Sequence, residues 1–343
     1  MKVVNLRYLL IPFLVFLSNS IWAQFSLQAN AETGVYNSKG NFLLEKTGLF
    51  TGLEGKAAYK YEYEKTSASI NIKARPEFYG SGNNLTSFKI RTSGEFSRRE
   101  DTFNWGLNLT SHFNNISSDS VDIDYEILFL QGNVVLFMIE NLPLSINASY
   151  AKQKLNSSGK QSLDLFSGEI KIHQKFNSYF KAAYGLYAEN FSIENSISYS
   201  VSDTVNSNSG FRIGPLVEIN YLKDFVFNFQ YRFLFHSSEQ TEFPSYEQWL
   251  RLVAGKIIFD KISVFLLVDY YLRKYKNLSS SQNPLPVLYT PLNQENHISF
   301  KTGYDITNDL ELYIKSSFFS ENLVYKDYKI EGWNILLGIQ YNN

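Results

Sequence analysis

From Phe225 to His236 the chain alternates with a period of two. Phe225, Phe227, Phe229, Tyr231, Phe233 and Phe235 fall on one side, and Val226, Asn228, Gln230, Arg232, Leu234 and His236 on the other. Successive side chains of a β-strand point to opposite faces, so this segment presents an unbroken aromatic row on one face and a polar, charged face behind it. The aromatic face is too large and too apolar for a sheet bathed in water. Lipid against one face and water against the other satisfies both.

The same pattern recurs from end to end. Ile70, Ile72, Ala74, Pro76 and Phe78 oppose Asn71, Lys73, Arg75 and Glu77. Phe103, Trp105, Leu107 and Leu109 oppose Asn104, Asn108 and Thr110, and Val121, Ile123, Tyr125, Ile127 and Phe129 oppose Asp122, Asp124 and Glu126. Ile262, Val264, Leu266, Val268, Tyr270 and Leu272 oppose Ser263, Asp269 and Arg273. About sixteen strands result (a range of 14–18), near 25–36, 50–63, 67–79, 85–97, 102–113, 121–134, 143–154, 162–175, 178–191, 210–222, 225–236, 246–259, 262–275, 295–306, 309–320 and 329–341. In the second half the connections alternate in length, tight at Lys223-Asp224 and Asp260-Lys261, longer through 192–209 and 276–294. Tight turns on one rim, longer loops on the other and an even number of strands predict an all-β fold, a transmembrane antiparallel β-barrel in which every backbone group finds a partner and no sheet edge remains. A soluble β-sandwich also alternates, but its aromatic rows would lie buried between two sheets.

The start of the chain reads as a leader. Lys2 and Arg7 precede an apolar run from Tyr8 to Leu17, followed by Ile21-Trp22-Ala23. That run is about half of the roughly 20 residues a spanning helix needs, so residues 1–23 are expected to be a secretory signal peptide and 24–343 a single barrel domain. Without Lys2 and Arg7 the mature chain carries 30 basic and 33 acidic residues, a net charge of −3, which gives no basic surface for nucleic acid. The chain has no cysteine, so neither disulfides nor a lipidated cysteine enter. Aromatics are 16% of residues, with 28 Phe and 24 Tyr, as expected where rings belt a membrane.

The mature chain as a whole resembles the bacterial outer-membrane β-barrels. The carriers are the leader ending Ile21-Trp22-Ala23, the two-faced strands, and the last strand Gly332-Trp333-Asn334-Ile335-Leu336-Leu337-Gly338-Ile339-Gln340-Tyr341, which looks like their C-terminal insertion signal, although Asn342 and Asn343 follow Tyr341 where the class usually ends on an aromatic residue. Its Asn-, Tyr- and Ser-rich strands are similar to those of barrels from Bacteroidota. The resemblance implies the outer membrane as location, with its lipid and the barrel insertion machinery as partners.

About sixteen strands leave room for an aqueous passage. The pore-lining candidates are Lys73, Arg75, Glu77, Arg91, Asp122, Asp124, Glu126, Arg232, Asp269, Arg273, Lys301 and Lys315. Acids and bases on the inward faces are nearly matched, which predicts weak charge selectivity and passage of small hydrophilic solutes. Two other functions compete: a non-conducting or partner-dependent barrel serving polysaccharide or protein export or surface scaffolding, and a barrel hydrolase. For the hydrolase, the histidines His112, His173, His236 and His297 are the candidates, and His297 shares a face with Ser299. Nucleotide, phosphate-loop and metal spacings are absent, so no cofactor is expected.

Overall fold

In a computed structural model, the described residues are all but 1–22, 41–45, 81–84, 118–121, 138–141, 157–160, 195–206, 239–244, 275–295 and 323–328. Of the leader expected over residues 1–23, all but Ala23, which opens the first strand, lies outside the described residues. Sixteen strands follow one another: β1 Ala23–Gly40, β2 Lys46–Tyr63, β3 Thr66–Gly80, β4 Leu85–Arg99, β5 Phe103–Ser117, β6 Asp122–Leu136, β7 Leu144–Asn156, β8 Gln161–Lys175, β9 Phe180–Glu194, β10 Ser207–Leu222, β11 Val226–Ser238, β12 Ser245–Ile258, β13 Ile262–Lys274, β14 His297–Asp305, β15 Leu310–Asn322 and β16 Lys329–Asn342. Each pairs antiparallel with its sequence neighbours, and β1 pairs with β16, from Gln28 opposite Asn342 to Gly40 opposite Ile330, which closes the sheet into a barrel.

Tight connections gather on one rim. Phe259 and Asp260 both hold positive φ (53° and 58°), and the Lys261 amide donates to Ile258 O at 3.3 Å, the two-residue turn whose twist matches the flanking strands. Asn177 Oδ1 accepts from the amides of Tyr179 and Phe180, both at 2.8 Å, and shapes the β8–β9 turn. Lys65 Nζ and Asp101 Oδ1, 2.7 Å apart, tie two neighbouring turns of this rim; their hydrogen bond and attraction hold the Asp101 carboxyl below its usual range and raise Lys65.

The outer wall is apolar and exposed: Ile70, Ile72, Leu107, Leu109, Ile170, Leu186, Ile213, Phe300, Ile314, Ile335 and Leu337 all face away from the barrel, with Trp333 and Tyr341 near its ends. An apolar belt running round the whole molecule belongs in hydrocarbon. Ile72, halfway along β3 and 46% exposed, tests this. Ile72→Arg should cost about 2–4 kcal/mol of folding stability in bilayers, the penalty for a base on the lipid face near the midplane. Asn71→Arg, one residue away on the lumen face, should cost far less. Equal effects in a denaturant titration would refute the assignment of faces.

In β6 the expected faces are reversed near the rim of longer connections. Asp124 and Glu126 were expected inside, but Glu126 stands opposite Phe113 and Lys154 and is exposed, and Asp124 accepts from Asn115 Nδ2 at 2.8 Å, on the face that Leu128 and Leu130 continue toward lipid. Both belong to the outer wall. Ile127 is inside and buried, in one cross-strand row with Gln153 of β7 and Leu163 of β8. The run Ile127-Leu128-Phe129-Leu130 is apolar on both faces, so alternation alone could not set its phase; pairing with β5, where Leu107 and Leu109 face out, does. Outside the same region, Lys152 Nζ lies 3.4 Å from Asp164 Oδ1, and the Tyr150 hydroxyl donates to that oxygen at 2.5 Å. The polar outer wall of β6–β8 there stands clear of the apolar belt.

Candidate functional site

The inner wall is organised around charges that meet across strands. The Arg75 guanidinium reaches three carboxylates: Nη2 to Glu32 Oε2 at 2.6 Å, Nε to Glu77 Oε1 at 2.7 Å and Nη1 to Glu54 Oε2 at 3.3 Å. Lys73 Nζ touches Glu54 at 2.7 Å and Lys89 Nζ touches Glu77 at 2.9 Å. The hydroxyls of Tyr79 and Tyr313 approach Glu77 Oε2 at 2.9 Å and Glu32 Oε1 at 2.6 Å. Gly338 stands opposite both Glu32 and Tyr313; a Cβ there would lie 2.3 Å from the Tyr313 ring, so only glycine lets that ring lie flat against the wall and reach Glu32. The five strands that meet at this cluster include the first and the last but one, so it straddles the closure of the barrel.

A second cluster lines β9 to β13. Arg212, Glu189, Glu247 and His236 have fully buried side chains. Arg212 bonds Glu189 through Nη1, and its Nε lies 2.7 Å from Glu247 Oε2. Glu247 also takes the Tyr271 hydroxyl at 2.5 Å and faces His236 Nδ1 at 2.7 Å, while the Tyr187 hydroxyl donates to Glu189. Below them Tyr187, Leu216, Leu234, Trp249 and Tyr271 pack together. Beside the second cluster, Arg232 Nη2 holds Glu169 Oε1 at 2.5 Å with its guanidinium over the rings of Tyr187 and Trp249, and Lys171 bridges Glu169 and Glu218 at 3.0 and 3.1 Å.

Toward the tight-turn rim the wall changes character. A cavity of about 740 Å³ opens there, lined by the amides of Gln24, Asn71, Asn108, Gln131 and Asn133 with the hydroxyls of several serines. Charge is sparse here, limited to Lys56, Lys60 and Glu95.

Of the residues expected to line a pore, Lys73, Arg75, Glu77, Arg91, Arg232, Asp269, Lys301 and Lys315 all lie on the inner face. Asp269 is held by Arg251 Nε at 3.4 Å and His297 Nδ1 at 3.5 Å, and Lys301 by Glu311 at 2.6 Å. The backbones of Asp122 and Arg273 pair opposite Ser117 and Glu247; their side chains lie outside the described residues. Asp124 and Glu126 are on the outer wall. Glu32, Glu247 and Arg251 were missed. Glu32 could have been found by extending the phase of Phe25, Leu27 and Val35 along β1, whereas β12 carries Tyr246 outside and Trp249 inside, so aromatic content did not mark its faces.

The histidines do not assemble a triad with their expected neighbours. Ser299 Oγ bonds Ser317 Oγ at 3.0 Å rather than His297. His173 Nε2 meets Ser145 Oγ at 2.7 Å, but Ser145 is only 4% exposed and the other ring nitrogen has no carboxylate hydrogen-bonded to it among the described residues. A hydrolase needs an accessible nucleophile with an oriented base.

Sixteen strands in a closed order, a lipid-fitted outer wall and a polar interior define the class: a transmembrane β-barrel. No protein-family model matches the sequence, and no curated protein matches it. Among solved structures, similarity is found to the siderophore receptor PiuA from Acinetobacter baumannii (8% identity, TM-score 0.48, 95% of this chain and 82% of that one). It is also found to the toluene transporter TodX from Pseudomonas putida (10%, 0.42, 94% and 90%) and to the copper transporter OprC (8%, 0.43, 94% and 81%). The class assignment rests on strand order, register and the two faces of the wall in this chain, not on these likenesses.

Proposed function

We propose that the protein is an outer-membrane barrel that lets small hydrophilic solutes diffuse through a hydrated lumen, with its tight-turn rim and both termini toward the periplasm. The cavity of about 740 Å³ carries this reading, because amides and hydroxyls lining an open space are groups that water and polar solutes satisfy. Ion pairs around Arg75, Arg232 and Lys301 cancel most of the charge elsewhere, which supports weak discrimination over the pore as a whole. Residues 1–23 act as the export leader, and transport rather than catalysis is the reading the scattered histidines favour.

A second reading, a barrel that conducts only with a partner, is supported by the fully buried Arg212 cluster, since side chains buried on a lumen face are not in open water. Single-channel recording separates the two. Purified protein in planar bilayers should give reproducible stepwise conductance in 1 M salt, a concentration at which surface fields are screened within about 3 Å. Silence across repeated insertions would discard the open pore in favour of the partner-dependent barrel.

A further inference from the structure

Four adjacent strands set a base at the same level of the wall. Lys56 of β2 stands opposite Lys73 of β3, Lys73 opposite Arg91 of β4, and Arg91 opposite His112 of β5. Neighbouring strands are about 4.8 Å apart, so the row runs for about 14 Å around the lumen. Like charges placed directly across a sheet destabilise it. A wall that needed only polarity would alternate signs, as Arg251, Asp269 and His297 do in successive strands.

Little along the row offsets that repulsion. Lys73 pairs with Glu54 at 2.7 Å, but Glu54 is shared with Arg75. Lys56 and Arg91 form no ion pair among the described residues; Arg91 is exposed to the lumen and Lys73 is half-buried. Lys56 also lines the 740 Å³ cavity, together with Asn71, and Glu95 is the one acid in that lining, so the row borders this cavity.

We propose that Lys56, Lys73 and Arg91 form a binding track for small oxyanions, which gives the pore an anion preference that the matched overall charge conceals. The inference rests on the pore reading for how the anion arrives. Two ammoniums and a guanidinium fork offer charge-assisted donors at successive steps, and their hydration keeps binding weak enough for release. Inorganic phosphate is the probe.

Two readouts test it independently. In bilayers under a salt gradient the reversal potential should favour chloride over potassium, and phosphate should reduce the chloride current. In detergent, calorimetry should detect phosphate binding to the full chain whether or not it conducts. Lys56→Gln and Arg91→Gln should each weaken the phosphate effect about tenfold or more, the cost of one hydrogen bond to a charged group. Combined, they should abolish the chloride preference while leaving the unfolding midpoint unchanged or raised, since a repulsion is removed. Conductance without anion preference or phosphate binding would overturn the track and leave the pore standing. Phosphate binding without conductance would retain the track and overturn the pore.

Discussion

Arg212→Met should be the most damaging single replacement in the barrel, costing about 3–5 kcal/mol, the penalty of stripping the partner from a buried charge. Arg212 lies between Glu189 and Glu247 with its guanidinium 5.1 Å from the centre of the Phe191 ring, and all three charged side chains are fully buried. Methionine fills most of the volume but leaves two carboxylates facing each other. The triple variant Arg212→Met/Glu189→Gln/Glu247→Gln should recover most of the loss, because neutral amides still accept the Tyr187 and Tyr271 hydroxyls. Denaturant unfolding in micelles measures each. If Arg212→Met does not fold, Arg212→Lys keeps the charge without the fork and should fall between the two. A loss under about 1 kcal/mol, typical of exposed pairs, would mean that the cluster does not brace this wall.

Arg75→Met should cost nearly as much, again about 3–5 kcal/mol if its cluster behaves as buried. The consequences differ among its three acids. Lys73 still holds Glu54 and Lys89 still holds Glu77, whereas Glu32 keeps the hydroxyl of Tyr313 and the charge of nearby Lys315 but no cation in contact among the described residues. Glu32→Gln should therefore rescue Arg75→Met, while Glu54→Gln should not. A double-mutant cycle between positions 75 and 32 should show coupling well above that between 75 and 54. Equal coupling at both positions would contradict the geometry, in which the bond to Glu32 is 2.6 Å and that to Glu54 is 3.3 Å. Because the cluster joins β1 to β3 and β15, its loss should also weaken the closure of the barrel.

Strand positions were legible because alternation is local. Phe227, Phe229 and Tyr231 declare their face without reference to any other strand, and Ile72 against Lys73 does the same for β3. Legibility failed where a segment is apolar on both faces. Ile127 to Leu130 gave two consistent phases, and the wrong one placed Asp124 and Glu126 inside. Trp249 hid the lumen side of β12 in the same way, since Tyr246 faces out and Trp249 in, whereas Ser263 and Asp269 marked the inner face of β13 even though Tyr271 shares it. The near balance of acids and bases was visible in the sequence, but which acid meets which base was not.

The order of residues by itself determined the class: a two-faced wall of sixteen strands, apolar outside and polar inside, because a period of two is written into consecutive residues. Only the tertiary structure decided the partnerships. Closure of β1 on β16 brings Glu32 to Tyr313 across 281 residues, and the register aligns Lys56, Lys73, Arg91 and His112 in one row. Both depend on how far each strand slides along its neighbour before its backbone hydrogen bonds form, and a one-strand pattern carries no record of that displacement.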